Sequence, residues 1–363
     1  MGRAATTTRA PRGFAWRLAG GLLAAALGLG SVQAADAPPL PKLHLDSARV
    51  AVVGLSAGAY MAGQAQLAYP EWFANAALVA GGPWNCADGS LKTALTACLK
   101  GNPRAEVPGL VARAGAWAKE GRLGDLAHLA HARVYLLRGR DDATVSADVA
   151  AASASFYRAL AAQSPALRDL QLVVDDQRDF GHNLPVARHG DDCRLSQSPF
   201  LGGCGFDAAG AIFARMFGAP PRQADGAHGE LRRFDQDALR IDGADAYLAR
   251  TGYLYVPPAC AAGQSCGLLV AFHGCKQDAA SVGTAFVQDA GFNRWADVYG
   301  VVVLYPQARA SFAPLNPQAC WDWWGYSGAN YATRDGAQLR WLVHAVQALG
   351  AGAGIRDTGL GIR

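Results

Sequence analysis

Val50-Ala51-Val52-Val53-Gly54-Leu55-Ser56-Ala57-Gly58 opens with four apolar residues, three of them valines, and closes in a turn that sets a serine between two glycines. A proline-free, alanine-rich run follows from Ala57 to Ala68. The first segment suits a buried strand and the last a helix. Ser56 therefore stands at the apex of a sharp strand-to-helix turn. In that context Gly-x-Ser-x-Gly has mechanical meaning, because a strained elbow lifts the hydroxyl out over the end of a sheet. The pentapeptide alone is weak in a chain of 363 residues with 43 glycines. Its value depends on what surrounds it.

Outward from the elbow, residues 76–80, 134–137 and 170–174 are short apolar runs that read as strands, with a helix-prone, alanine-rich stretch over 145–162. The second half repeats the pattern, with strands expected at 253–256, 268–272 and 301–305 and a helix at 338–349. Strands alternating with helices predict an α/β fold, a mostly parallel sheet with helices on both faces. A polar stretch near 220–243 separates the halves. Neither half supplies a full sheet, so it is expected to be a surface excursion within one domain rather than a linker.

A serine hydroxyl is a poor nucleophile at neutral pH and needs a base and an orienting carboxylate. After such an elbow they follow in the order Ser, Asp, His, each beyond a strand. Gly139-Arg140-Asp141-Asp142-Ala143-Thr144-Val145 follows the 134–137 strand, at the sheet edge where active sites collect. Asp142 is the expected acid and Asp141 its alternative; either aspartate could instead cap the helix starting near Ser146. Beyond the 170–174 strand comes Phe180-Gly181-His182-Asn183-Leu184-Pro185. His182 is the expected base, with Gly181 permitting the tight turn that aims its ring. His189 is the rival.

An oxyanion hole is the third requirement. Its first donor should be the N–H after the nucleophile, that of Ala57. The second normally comes from a loop after an early strand, often containing His-Gly. The segment that fits is Leu268-Leu269-Val270-Ala271-Phe272-His273-Gly274-Cys275, far C-terminal to Ser56. If the C-terminal half is placed before the N-terminal half, every part falls into order. The chain thus reads as a circularly permuted α/β-hydrolase, an arrangement tolerated because domain termini tend to lie close together at the surface.

The N-terminus reads as an export signal: Arg3, Arg9, Arg12 and Arg17, an apolar run over 18–30, then Val32-Gln33-Ala34 as a cleavage pattern. That run is too short to span a membrane. Residues 1–34 are expected to be removed, leaving a single catalytic domain over 35–363 in the periplasm or the medium. Subtracting the four leader arginines from the formal charge of +4 leaves a near-neutral protein, which gives no reason to expect nucleic acid or an anionic membrane as partner. A monomer is expected. Eight cysteines in an exported chain suggest disulfides. Close spacing makes Cys86–Cys98, Cys193–Cys204 and Cys260–Cys266 natural local pairs and leaves Cys275 with Cys320. His128 and His131 are three apart but have no third ligand in view, so no metal and no cofactor is expected.

The permuted order, the segment Gly54-Leu55-Ser56-Ala57-Gly58-Ala59-Tyr60-Met61, Phe272-His273-Gly274-Cys275 and Cys320-Trp321-Asp322-Trp323-Trp324 together resemble the secreted polyhydroxybutyrate depolymerases, over nearly the whole mature chain. The resemblance implies hydrolysis of poly(3-hydroxybutyrate) or its oligomers, with Ser56 as nucleophile, Asp142 as acid and His182 as base. It implies Ala57 and Cys275 as oxyanion donors, and a Cys275–Cys320 disulfide fixing the second of them. Trp321, Trp323 and Trp324 are candidates either for core packing or, with His273, for contact with substrate. Many relatives carry a linker and a separate polymer-binding domain; none is expected here after the catalytic domain, so amorphous or oligomeric polyester is the expected substrate. The alternatives are a secreted feruloyl or acetyl esterase and, in another class, a non-catalytic polymer- or granule-binding protein.

Overall fold

The computed structural model describes residues 37–242 and 244–351, together with Gly2. Apart from Gly2, the expected leader lies outside the described residues.

Strand β1 (Leu45–Leu55) runs into the elbow and lies in the middle of the main sheet. Its alternating side chains divide two cores. Val50 and Val52 join the cluster on one face; Ala51, Val53 and Leu55 join the other. From Val50 to Leu55 the strand is buried on both faces and has no polar side, which is why that stretch is continuously apolar. In chain order the others are β2 (Asn75–Val79), β3 (Arg133–Gly139), β4 (Gln171–Arg178), β5 (Leu184–Val186), β6 (Asp191–Asp192), β7 (Leu201–Gly203), β8 (Glu230–Asp235), β9 (Thr251–Val256), β10 (Cys266–Phe272) and β11 (Val301–Tyr305).

The main sheet has the order β4-β3-β2-β1-β10-β11-β9-β8. All neighbours from β4 to β11 are parallel, and β9 and β8 close the sheet as an antiparallel edge pair. Helix α1 (Ala57–Ala68) and the helices Ala147–Gln163 and Ala337–Ala348 pack on one face. The helices Ala208–Phe217 and Phe292–Tyr299 cover the other. Each fully buried aliphatic or aromatic side chain in these layers contributes roughly 1.5–3 kcal/mol of transfer free energy.

This is the permuted α/β-hydrolase arrangement. Read from β8, the chain makes an antiparallel pair, then β10 and β11, and then passes by helix Ala337–Ala348 to the place where β1 begins. The Leu43 N–H donates to Leu349 O at 2.7 Å, so the end of that helix touches the approach to the elbow strand. A direct connection there would restore the unpermuted order.

The stretch near 220–243 is not the surface excursion expected of it. It contains β8, an edge strand of the main sheet. Glu230-Leu231-Arg232-Arg233-Phe234-Asp235 buries only Phe234 fully, and an edge strand facing water is as polar as a loop. Residues 181–204 form a second small sheet, β5-β7-β6, that the sequence did not suggest. All eight cysteines are paired, as Cys86–Cys98, Cys193–Cys204, Cys260–Cys266 and Cys275–Cys320. Among the described residues no helix is long and apolar enough to cross a membrane.

Candidate active site

Ser56 has φ 57° and ψ −119°, a conformation that non-glycine residues rarely adopt. Strain of this kind persists only where the surroundings over-determine it, and here the surroundings are backbone. A Cβ on Gly54 would lie 2.0 Å from Gly58 O, and one on Gly58 would lie 2.3 Å from Phe272 O and 2.5 Å from His273 O. Both glycines of the pentapeptide are thus fixed by close approach. The Ser56 N–H donates to Val79 O at 2.9 Å, which pins the elbow to the end of β2. Beneath it α1 is buried on every side, which explains its run of alanine and glycine.

Asp142 and His182 meet at the same sheet edge, beyond β3 and β4. The His182 Nδ1 to Asp142 Oδ2 distance is 2.8 Å, and the residues are only 6% and 4% exposed. A carboxylate can only accept, so Nδ1 carries the proton, and in the neutral ring Nε2 is then the nitrogen with the free lone pair. The other carboxylate oxygen, Oδ1, accepts the N–H groups of Thr144 and Val145 at 2.8 and 2.9 Å. The buried Arg138 guanidinium donates to Asp142 O and Val145 O, bracing the same turn from outside. Asp141 is exposed and faces Arg194, while Ser146 caps the following helix. His189 is exposed. The His182 N–H donates to Ser196 Oγ at 2.7 Å, and Asn183 donates to Cys193 O and Leu195 O. His182 thus hangs on a segment closed by Cys193–Cys204.

The His273-Gly274-Cys275 segment, the expected oxyanion loop, adjoins the elbow. A Cβ on Gly274 would be 3.6 Å from Ser56 Cβ. Gly274 O receives the His273 Nδ1–H at 2.7 Å and the Gln277 N–H at 3.2 Å. In a trans peptide the N–H opposes the C=O, so this fixes the direction of the Cys275 N–H. Among the described residues, neither the Ala57 nor the Cys275 N–H makes another hydrogen bond. The Cys275–Cys320 bridge holds the loop from its other side.

His273 does not reach the surface. It is fully buried, and its Nε2 accepts the Ala308 N–H at 3.1 Å. With Nδ1 donating and Nε2 accepting, the ring is neutral, and burial pushes its pKa below the ordinary 6.5. Both ring nitrogens are engaged by backbone groups. The tryptophans also pack inward. Trp321 lies edge-on against Phe272 at 5.0 Å, Trp323 stacks on Tyr60 at 4.7 Å, and Trp324 meets Trp323 at 5.6 Å. All three are buried in the core. Asp322 between them organises their loop: its carboxylate accepts the N–H groups of Trp324, Gly325, Tyr326 and Ser327 and the Ser327 hydroxyl. Gln64 of α1 donates to Asp322 O, joining that loop to the nucleophile helix.

With this geometry in hand, the comparisons with known proteins are specific. A polyhydroxybutyrate depolymerase of Talaromyces funiculosus is 33% identical over 343 residues, covering 89% of this chain and 96% of that protein. The chain belongs to the polyhydroxybutyrate depolymerase family. A second member, a poly(3-hydroxybutyrate) depolymerase of Delftia acidovorans, is 34% identical over 341 residues. The match covers 93% of this chain but 66% of that relative, just under two thirds of its length. The family model described as Esterase PHB depolymerase matches residues 251–358. Among solved structures, the PHB depolymerase of Penicillium funiculosum superposes with a TM-score of 0.76 at 29% identity, covering 86% of this chain and 98% of that one. A serine-to-alanine variant of a PHB depolymerase, complexed with an R3HB trimer, gives 0.75 with the same identity and coverage.

Proposed function

We propose that this chain hydrolyses the ester bonds of poly(3-hydroxybutyrate) or its oligomers through an acyl-enzyme on Ser56. The supporting observation is the pairing of a proton-bearing His182 Nδ1 with buried Asp142, on the sheet edge where the elbow presents Ser56. The relatives' names supply the substrate class.

In this reading His182 Nε2 takes the Ser56 proton as Oγ attacks the ester carbonyl. The imidazolium that forms is stabilised by Asp142, which holds the ring and does not itself accept the proton. The Ala57 and Cys275 N–H groups receive the oxyanion; one such donor is worth roughly 2.7–4 kcal/mol of barrier. His182 then returns the proton to the leaving 3-hydroxyl end. Water, deprotonated by His182, attacks the acyl carbon and frees Ser56. These steps use only groups of this chain. Residues 1–34 would direct export, and four disulfides fit an oxidising compartment.

The test incubates the wild type and Ser56→Ala with amorphous polymer, crystalline polymer and soluble 3-hydroxybutyrate oligomers, and measures released hydroxyacid. Release by the wild type alone is expected. No release from any of the three would remove the depolymerase reading.

A further inference from the structure

Two parts of the site are far apart in sequence: the oxyanion loop after β10 and the base-bearing excursion after β4. One side chain joins them. Gln277 is buried, at 1% exposure. Its Oε1 accepts the Gly274 N–H at 2.8 Å. Its Nε2 donates to Pro199 O at 2.9 Å and, more weakly, to Phe200 O at 3.4 Å, 78 and 77 residues away in sequence. The partners fix the amide orientation, because one end meets an N–H and the other meets carbonyls.

Each end of this bridge holds backbone that neighbours a reacting group. On the oxyanion side, Gln277 consumes the Gly274 N–H, and its own N–H binds Gly274 O. Of the two adjacent loop amides, only that of Cys275 remains unengaged beside Ser56. On the base side, Phe200 O receives the Leu184 N–H, two residues after His182, and the Phe200 N–H binds Gln197 O. Gln197 follows Ser196, whose hydroxyl receives the His182 N–H. The backbone held by Nε2 is therefore the frame on which the histidine hangs.

We infer that Gln277 is a positioning residue that sets the oxyanion loop and the His182 frame relative to each other, so that donor and base converge on Ser56 together. This rests on the esterase reading above. Gln277 touches neither substrate nor the reacting atoms. Its effect should fall on the transition state, where misplacement by about 1 Å costs on the order of 100-fold, and not on ground-state binding.

The experiment compares the wild type with Gln277→Met, which keeps bulk and loses both polar ends, and Gln277→Glu, which keeps the acceptor and loses the donors. Each is assayed on a soluble p-nitrophenyl ester for kcat and KM, titrated with an alkyl boronic acid, and melted. The boron accepts the Ser56 oxygen as its proton passes to His182, so the adduct imitates the tetrahedral intermediate. For Gln277→Met, kcat should fall roughly 10- to 100-fold, KM should stay within about 2-fold, and the boronate inhibition constant should rise by the same factor as kcat falls. Gln277→Glu should recover part of the loss. A purely structural role would lower the melting temperature and leave kcat and boronate affinity within 2-fold below it; that result, in either variant, overturns the proposal. If Gln277→Met does not fold, Gln277→Glu carries the same comparison. A folded wild type with no Ser56-dependent hydrolysis would instead sink the esterase reading.

Discussion

The elbow at Ser56 and the excursion that carries His182, the two halves of the proposed site, are built by opposite means. Around Ser56 the constraint is backbone against backbone: two glycines have no room for a Cβ, and the serine is held at positive φ by strands on either side. Around His182 the constraint is side chain to backbone: Ser196, Asn183, Arg138 and Gln277 each hold a loop through one or two hydrogen bonds. Steric exclusion fails all at once, whereas a hydrogen-bonded frame loosens by degrees. Substitutions in the first region should therefore abolish folding or activity, and those in the second should grade it.

The largest effect is expected at Gly58. Alanine there would drive a Cβ into the carbonyl oxygens of Phe272 and His273, and overpacking against rigid backbone should cost more than about 4 kcal/mol. Thermal melting should detect it, with a valine-sized substitution worse still. Next comes Asp142→Asn, which leaves the fold in place and should lower kcat by roughly 10³- to 10⁴-fold through the wrong imidazole tautomer. Asp141→Asn, on the exposed neighbour, should change kcat by less than about 2-fold. Steady-state kinetics on a soluble ester separates the two aspartates.

The two site disulfides compare the regions directly. Removing Cys275–Cys320, with a sequence separation of 45, should cost more stability than removing Cys193–Cys204, with a separation of 11. Chain entropy puts the difference at about 1 kcal/mol, measurable by urea unfolding. In activity, loss of Cys193–Cys204 should act through His182 alone and leave boronate adducts weaker but detectable.

The smallest effect concerns His273. Its pKa is depressed by burial, so the unfolded chain binds a proton at higher pH than the folded one. Its contribution to stability is complete above the ordinary 6.5 and declines as pH falls below that value toward the folded pKa. His273→Gln should lower stability at neutral pH yet flatten the dependence below 6.5, read as the difference between the two unfolding free energies against pH. Asp322 has the opposite sign in a lower window, since burial raises its pKa above 3.8. The difference between wild type and His273→Gln cancels it.

Much of this architecture was legible because it is local. Val50 to Val53 announces a doubly buried strand, and Gly54 and Gly58 bracket a turn whose geometry excludes other residues. The displaced His273-Gly274 segment revealed the permutation, because strand order is written in sequence order. What was illegible is long-range. Strand β8 looked like a loop because an edge strand keeps its polar face. The fold of 181–204 depends on Asn183 and Cys193 finding each other, which no periodicity records. Gln277 carries no motif, and its importance exists only once Pro199 stands beside Gly274. Trp321, Trp323 and Trp324 fit a substrate wall or a core equally well in sequence; the structure buries all three against aromatic neighbours. The role of His273 was missed for a related reason, since its two ring partners, Gly274 O and the Ala308 N–H, are backbone groups.

The most direct measurement is the site of covalent capture by a fluorophosphonate. The phosphorus accepts Ser56 Oγ, fluoride leaves, and the adduct is mapped by peptide mass spectrometry. One adduct is expected, on the peptide containing Ser56, formed rapidly by the wild type, slowed by at least about 10³-fold in Asp142→Asn and absent in Ser56→Ala. A folded protein that is not labelled, or one labelled equally well without Ser56, would contradict it.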